Sequence, residues 1–254
     1  MVRRYSREEL LRALDWAIEV LVYLYVIFMF TKFGAAFRSI GMYGAFGLWL
    51  ARWVLTRKID IPRNPVAYLF FAFIGSATLS GVLSSDVGES VRVFKKDVFN
   101  PLLWFLVIAT HFGPSERQKR LLTALGTSGI IVILCGYWNY FRGETYDGAL
   151  AAFRDPNSYA MNVAILLPFV FALAFVTTGW QGRVLWGTVA MLGVIASVLT
   201  LSRGGWLGLA TILAIWGAYM YQARSRKQLV VVSACMVLLL APVTLTNSDV
   251  IRKA

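Results

Sequence analysis

The sequence predicts an all-α fold, a polytopic transmembrane helical bundle of about nine spans. Three observations carry that prediction. Hydrophobic residues make up 58% of the 254 positions, well above the apolar share of a soluble domain. Mean hydropathy is +0.65. Apolar runs of roughly 16–20 residues recur along the whole length, long enough to cross a ~30 Å hydrocarbon core, and basic clusters separate many of them.

Arg3, Arg4, Arg7 and Arg12 precede the first run, and no small-residue cleavage pattern follows it. The segment therefore reads as a cytoplasmic amphipathic lead-in to a permanent anchor, not a cleaved signal. The first span is expected at 16–31, with Glu19 about one turn inside, where a structural pairing with Arg12 or with a neighbouring helix is expected. A short second span at 40–55 carries Gly41, Gly44 and Gly47, a spacing that permits close helix approach. The third, 65–83, begins at Pro65. The fourth, 98–112, is short and ends at His111, the single histidine, read as an interfacial residue with a local hydrogen bond.

Five more spans follow, at 121–140, 158–178, 184–201, 205–221 and 229–245. Cys135 and Cys235 lie inside two of them without metal-ligand spacing and read as small apolar fillers. Pro168 and Pro242 are expected to kink their helices. Trp138, Trp180 and Trp186 sit near span ends, as an aromatic belt requires. Gly204 and Gly208 give the eighth span a packing face. Residues 1–254 are expected to form one transmembrane domain.

With the N-terminus cytoplasmic, the inner segments collect Arg52, Arg57, Lys58, Arg63, Arg117, Lys119, Arg120, Arg183, Arg224, Arg226 and Lys227 besides the N-terminal arginines. That is the majority of the 25 basic residues. Asp86, Glu89, Asp97, Glu144, Asp147, Asp155 and Asp249 fall on the outer side, where nine spans from an inner N-terminus also put the C-terminus. A net charge of +12 then reflects loops facing anionic headgroups, not nucleic acid, for which no motif is present.

One histidine excludes a histidine-based metal cluster, and no Ser/His/Asp arrangement is suggested. Three outer clusters remain. They are Leu79-Ser80-Gly81-Val82-Leu83-Ser84-Ser85-Asp86 with Glu89 to Arg92, Phe153-Arg154-Asp155-Pro156-Asn157-Ser158, and Ser202-Arg203-Gly204-Gly205-Trp206. Asp155 or Asn157 is placed to cap the sixth span. Arg203 lies at the junction of two apolar runs. A guanidinium keeps its proton and costs roughly 2.5–3.5 kcal/mol at mid-bilayer on insertion scales, so it either snorkels to the interface or holds an anion.

In order and spacing these clusters resemble the O-antigen ligase and polymerase family of bacterial envelope enzymes, over roughly residues 65–210. The Pro65 to Asp86 helix, the Asp155-Pro156-Asn157 turn and Ser202–Trp206 carry the resemblance. It implies a metal-independent, cofactor-free glycosyltransferase at the periplasmic face of the inner membrane. Such an enzyme moves a glycan from undecaprenyl pyrophosphate to a hydroxyl of the lipid A core or of a growing polysaccharide. Arg203 would bind the pyrophosphate, with Arg142 and Arg154 as candidate helpers, although Arg154 beside Asp155 reads equally as a local ion pair. The family's large outer loop, which brings a histidine and a second arginine, has no counterpart here. The chain is therefore expected to be the front portion of an enzyme, or to need a partner chain that carries that loop. The alternative is a transporter or flippase for an anionic solute or lipid-linked glycan, for which Glu19 would be the residue to watch.

Overall fold

The computed structural model describes residues 6–31, 34–58, 65–144, 150 and 155–222. The described residues are helical wherever they are regular, with no strand among them. The order is α1 (Arg7–Phe28), α2 (Ala35–Thr56), α3 (Pro65–Val82), α4 (Val87–Phe94), a π-helical turn (Lys95–Phe99), α5 (Asn100–His111), α6 (Ser115–Phe141), α7 (Pro156–Val176), α8 (Trp180–Leu199) and α9 (Arg203–Gln222). Three of these, α6, α7 and α8, are long and apolar enough to cross a membrane by length and composition. The expected span at 98–112 is not one straight element. Its first residues belong to the π-helical turn, which runs on into α5. The expected span at 229–245, with Cys235 and Pro242, lies outside the described residues, as does Arg154.

The chain divides into two compact units, Met1–Val26 with Gly34–Leu121 and Ile27–Phe33 with Leu122–Ala254. In the first unit, Ile18 and Val22 of α1, Ala45 and Trp49 of α2, and Leu103 and Val107 of α5 are buried. Gly41 permits the approach of α1 and α2, because a Cβ there would stand 2.7 Å from the Leu21 carbonyl oxygen and 2.8 Å from the Tyr25 nitrogen. Tyr25 stacks on Trp104 with ring centroids 4.0 Å apart, and the Trp49 indole donates to Thr110 Oγ1 at 2.8 Å. Asp86 ends the extended stretch before α4 and accepts from the Glu89 amide at 2.9 Å, the ordinary N-cap bond.

In the second unit α7 is the central helix. Tyr159, Val163, Leu166, Leu167 and Val170 are buried along it, among Val132 and Ile133 of α6, Val194 of α8, and Leu209 and Leu213 of α9. Its opposite face is open, with Met161 60% and Ile165 44% exposed. Glycines let α6 and α8 in. A Cβ on Gly129 would stand 3.0 Å from Val170, and one on Gly193 2.8 Å from Leu167. On α9 the close contacts are made by Gly205, whose Cβ would stand 2.6 Å from the Ala160 Cβ, and by Gly208 at 3.5 Å from Ala164. The expected pair was Gly204 and Gly208, but Gly204 is exposed. α7 runs unbroken through Pro168.

Candidate functional site

The second and third sequence clusters meet in the second unit. Asp155, held extended before Pro156 (φ −141°, ψ 159°), caps α7 by accepting from the Ser158 amide at 2.9 Å and the Ser158 hydroxyl at 2.7 Å. A residue before proline is steered to that extended region, and proline suits the first helical turn. After α8, Leu201 takes a left-handed backbone (φ 52°), a conformation that costs a non-glycine residue roughly 1–2 kcal/mol. This turn lets Ser202 cap α9, its Oγ accepting from the Gly205 amide at 3.1 Å.

The same Oγ donates to Asn157 Oδ1 at 2.7 Å. One buried hydroxyl therefore ties the start of α7 to the start of α9. Leu150 belongs to the same end of the unit, since its amide donates to the Leu199 carbonyl at 2.9 Å. Arg203 is the first residue of α9 and is exposed, with no ion-pair partner among the described residues. The Asp155 carboxylate already takes the start of α7, so the open helix start at this end is that of α9, with Arg203 in its first turn. An oxyanion is the ligand such an arrangement suits.

No family model, curated protein or solved structure matches the chain.

The other predicted site residues lie as follows. Arg142 sits just past α6, with Nε 3.5 Å from Glu144 Oε1 and its guanidinium 5.9 Å from the centre of the Trp138 ring. Both charges of that pair are more than half exposed, so the pair is weak and Arg142 can turn to another anion. The first cluster borders a separate cleft of about 460 Å³ in the first unit, where Ser80, Ser84, Asp86, Ser90 and Asp97 meet Phe94. Among the described residues no three His, Cys, Asp or Glu side chains gather as a metal site would need.

The sequence reading missed a charged cluster in the first unit. Asp15 of α1 takes Arg52 Nε on one oxygen and Arg117 Nη2 on the other at 2.9 Å. Glu19, one turn on, pairs with Arg117 Nε and with Arg120 Nη2, both at 2.9 Å, and accepts from the Tyr23 hydroxyl. Burial alone would raise the Asp15 carboxyl, but hydrogen bonds from Arg117 and Arg52 outweigh it and hold the group below its ordinary value. His111 is buried at 2% exposure, its Nε2 3.2 Å from the Asp15 carbonyl oxygen. Arg117 Nη1 donates to the His111 carbonyl at 3.1 Å. Glu19 was expected to pair with Arg12 or with a neighbouring helix, and it is the helix α6 that supplies its partners, Arg117 and Arg120. Its partners lie about a hundred residues away.

Proposed function

We propose that the chain is a membrane glycosyltransferase of the O-antigen ligase type, in which Arg203 binds the diphosphate of a lipid-linked glycan donor. The observation that carries this reading is the Ser202–Asn157 bond, which brings two sequence clusters together around an exposed arginine. The backbone amides of Arg203 and Gly204 have no acceptor among the described residues, so they and the guanidinium are available to the same oxyanion. In the reaction the bond between the sugar C1 and the diphosphate oxygen breaks as an acceptor hydroxyl forms the new glycosidic bond and gives up its proton. Negative charge grows on the leaving diphosphate, and fixed donors aimed at it lower the barrier. Arg142 serves as a second donor once it leaves Glu144. No described residue is assigned as the base.

The finer expectations belong to the same proposal: about nine spans, an N-terminus in the cytoplasm of a bacterial inner membrane, an undecaprenyl pyrophosphate donor, and a lipid A core or polysaccharide acceptor. A partner chain would supply the acceptor-side groups. The test is Arg203→Ala in the full-length protein, expressed in a strain lacking its own copy, with envelope glycans resolved on a gel. Loss of capped or polymerised glycan at unchanged protein level is expected. An unchanged glycan ladder would refute the assignment.

A further inference from the structure

The charged cluster of the first unit borders an open cleft of about 370 Å³ whose walls include Arg12, Trp16, Glu19, Val20, Arg117 and Arg120. Four guanidiniums, Arg12, Arg52, Arg117 and Arg120, stand near two carboxylates, Asp15 and Glu19. Arg52 and Arg117 are spent on those acids at close range. Arg120 meets Glu19 and the Tyr23 hydroxyl and keeps 54% of its side chain exposed. Arg12 is exposed and has no partner among the described residues. The cleft therefore carries surplus positive charge on its open side.

Its other border is apolar. Trp16 is 69% exposed and Val20 40%, and residues four apart share a helix face. Arg12 lies one turn before Trp16 on the same stripe. From Leu21 to Phe28 the helix has no charged residue. An exposed tryptophan between a cationic cleft and an apolar helix surface is the arrangement found where a membrane helix meets the headgroup layer.

We propose that this cleft is a binding site for an anionic phospholipid, its phosphate between Arg12 and Arg120 and its acyl chains along Trp16 and Val20. A free phosphate ion would meet the arginines but gain nothing from the apolar border, whereas a lipid uses both. Neither Arg203 nor glycosyl transfer enters into it.

The test uses the full-length protein in phosphatidylcholine vesicles, with electron paramagnetic resonance of spin-labelled phosphatidylglycerol and spin-labelled phosphatidylcholine. The motionally restricted fraction of each gives their relative association. Selectivity for phosphatidylglycerol is expected, weakening as salt is raised. Arg12→Gln should lower it about fivefold, the effect of one basic residue at an anionic surface, and Trp16→Ser should shorten the lifetime of the restricted lipid. Arg12 makes no described contact, so that variant folds as the parent does. As a control, Arg183→Gln removes an exposed arginine of the second unit. Equal loss of selectivity from Arg183→Gln would mean diffuse surface charge and overturn the proposal. Unchanged selectivity in Arg12→Gln, or displacement of the lipid by inorganic phosphate at equal concentration, would overturn it as well.

Discussion

Replacing Ser202 by alanine removes two hydrogen bonds made by one buried oxygen. The bond to the Gly205 amide is an N-cap, worth about 1 kcal/mol when lost. The bond to Asn157 adds about 1 kcal/mol net. Asn157 is exposed and can rehydrate after losing its donor, which trims the second figure. The whole cost should come to about 1.5 kcal/mol. Asn157→Ala alone removes only the shared bond and should cost about 0.5–1 kcal/mol. The double variant should then be less destabilised than the sum of the singles, with a coupling energy of about 0.5–1 kcal/mol. Unfolding in mixed micelles of dodecyl maltoside and dodecyl sulfate, followed by far-ultraviolet circular dichroism, measures all four proteins. Strict additivity, or a Ser202→Ala change below ~0.3 kcal/mol, would show that the hydroxyl does not join α7 to α9, and the anion site built on that junction would fall with it.

Two further outcomes follow from the packing and the charges. Gly205→Ala would set a methyl 2.6 Å from the Ala160 Cβ, and that atom sits on a helix and cannot swing aside. A cost of about 1–3 kcal/mol is expected, exceeding the ~1 kcal/mol by which alanine outranks glycine as a helix former, and Ala160→Gly in the same chain should restore most of it in the micelle assay. The Asp15 carboxyl titrates below its unfolded value of about 3.9. Its stabilising contribution is therefore complete above that value and disappears as pH falls through the lower folded one. The gap in unfolding midpoint between the parent and Asp15→Asn should stay constant from neutral pH down to about 5 and begin to narrow below about 4, and a gap that widens as pH falls below about 4 would contradict the assignment.

The helices were legible because each apolar run is a local property of the chain. The expected spans 121–140, 158–178 and 184–201 correspond to α6, α7 and α8 within a few residues. Capping was legible too, since Asp155-Pro156 fixes a helix start by local sterics. What escaped depends on which face a helix turns to its neighbour. The glycines that admit packing in the second unit include Gly129, Gly193 and Gly205, and the sequence had offered Gly204. The π-helical turn at Lys95–Phe99 leaves no periodicity to read over five residues. For the site, the Asn157 and Ser202 clusters were each noticed, but nothing in the sequence says that positions 45 apart share a hydrogen bond. A neighbouring-helix partner for Glu19 was expected, but its identity and the part of Asp15 were hidden for the same reason, with Arg117 drawn from a segment that reads alone as an ordinary basic loop.

The links between the last helices bear on how the chain enters a bilayer. Residues 177–179 join α7 to α8, and residues 200–202 join α8 to α9. Three residues reach about 10 Å, while a helix of 20 residues is about 30 Å long. Neither link can carry the chain back along a helix, so each helix must run opposite to the one before it. α7 and α8 are long and apolar enough to cross a membrane, and where they do so their orientation during biosynthesis is a single binary choice. A relocated basic cluster that inverted α8 would have to invert α7 with it, so tags placed in the two links would always report opposite sides of the membrane.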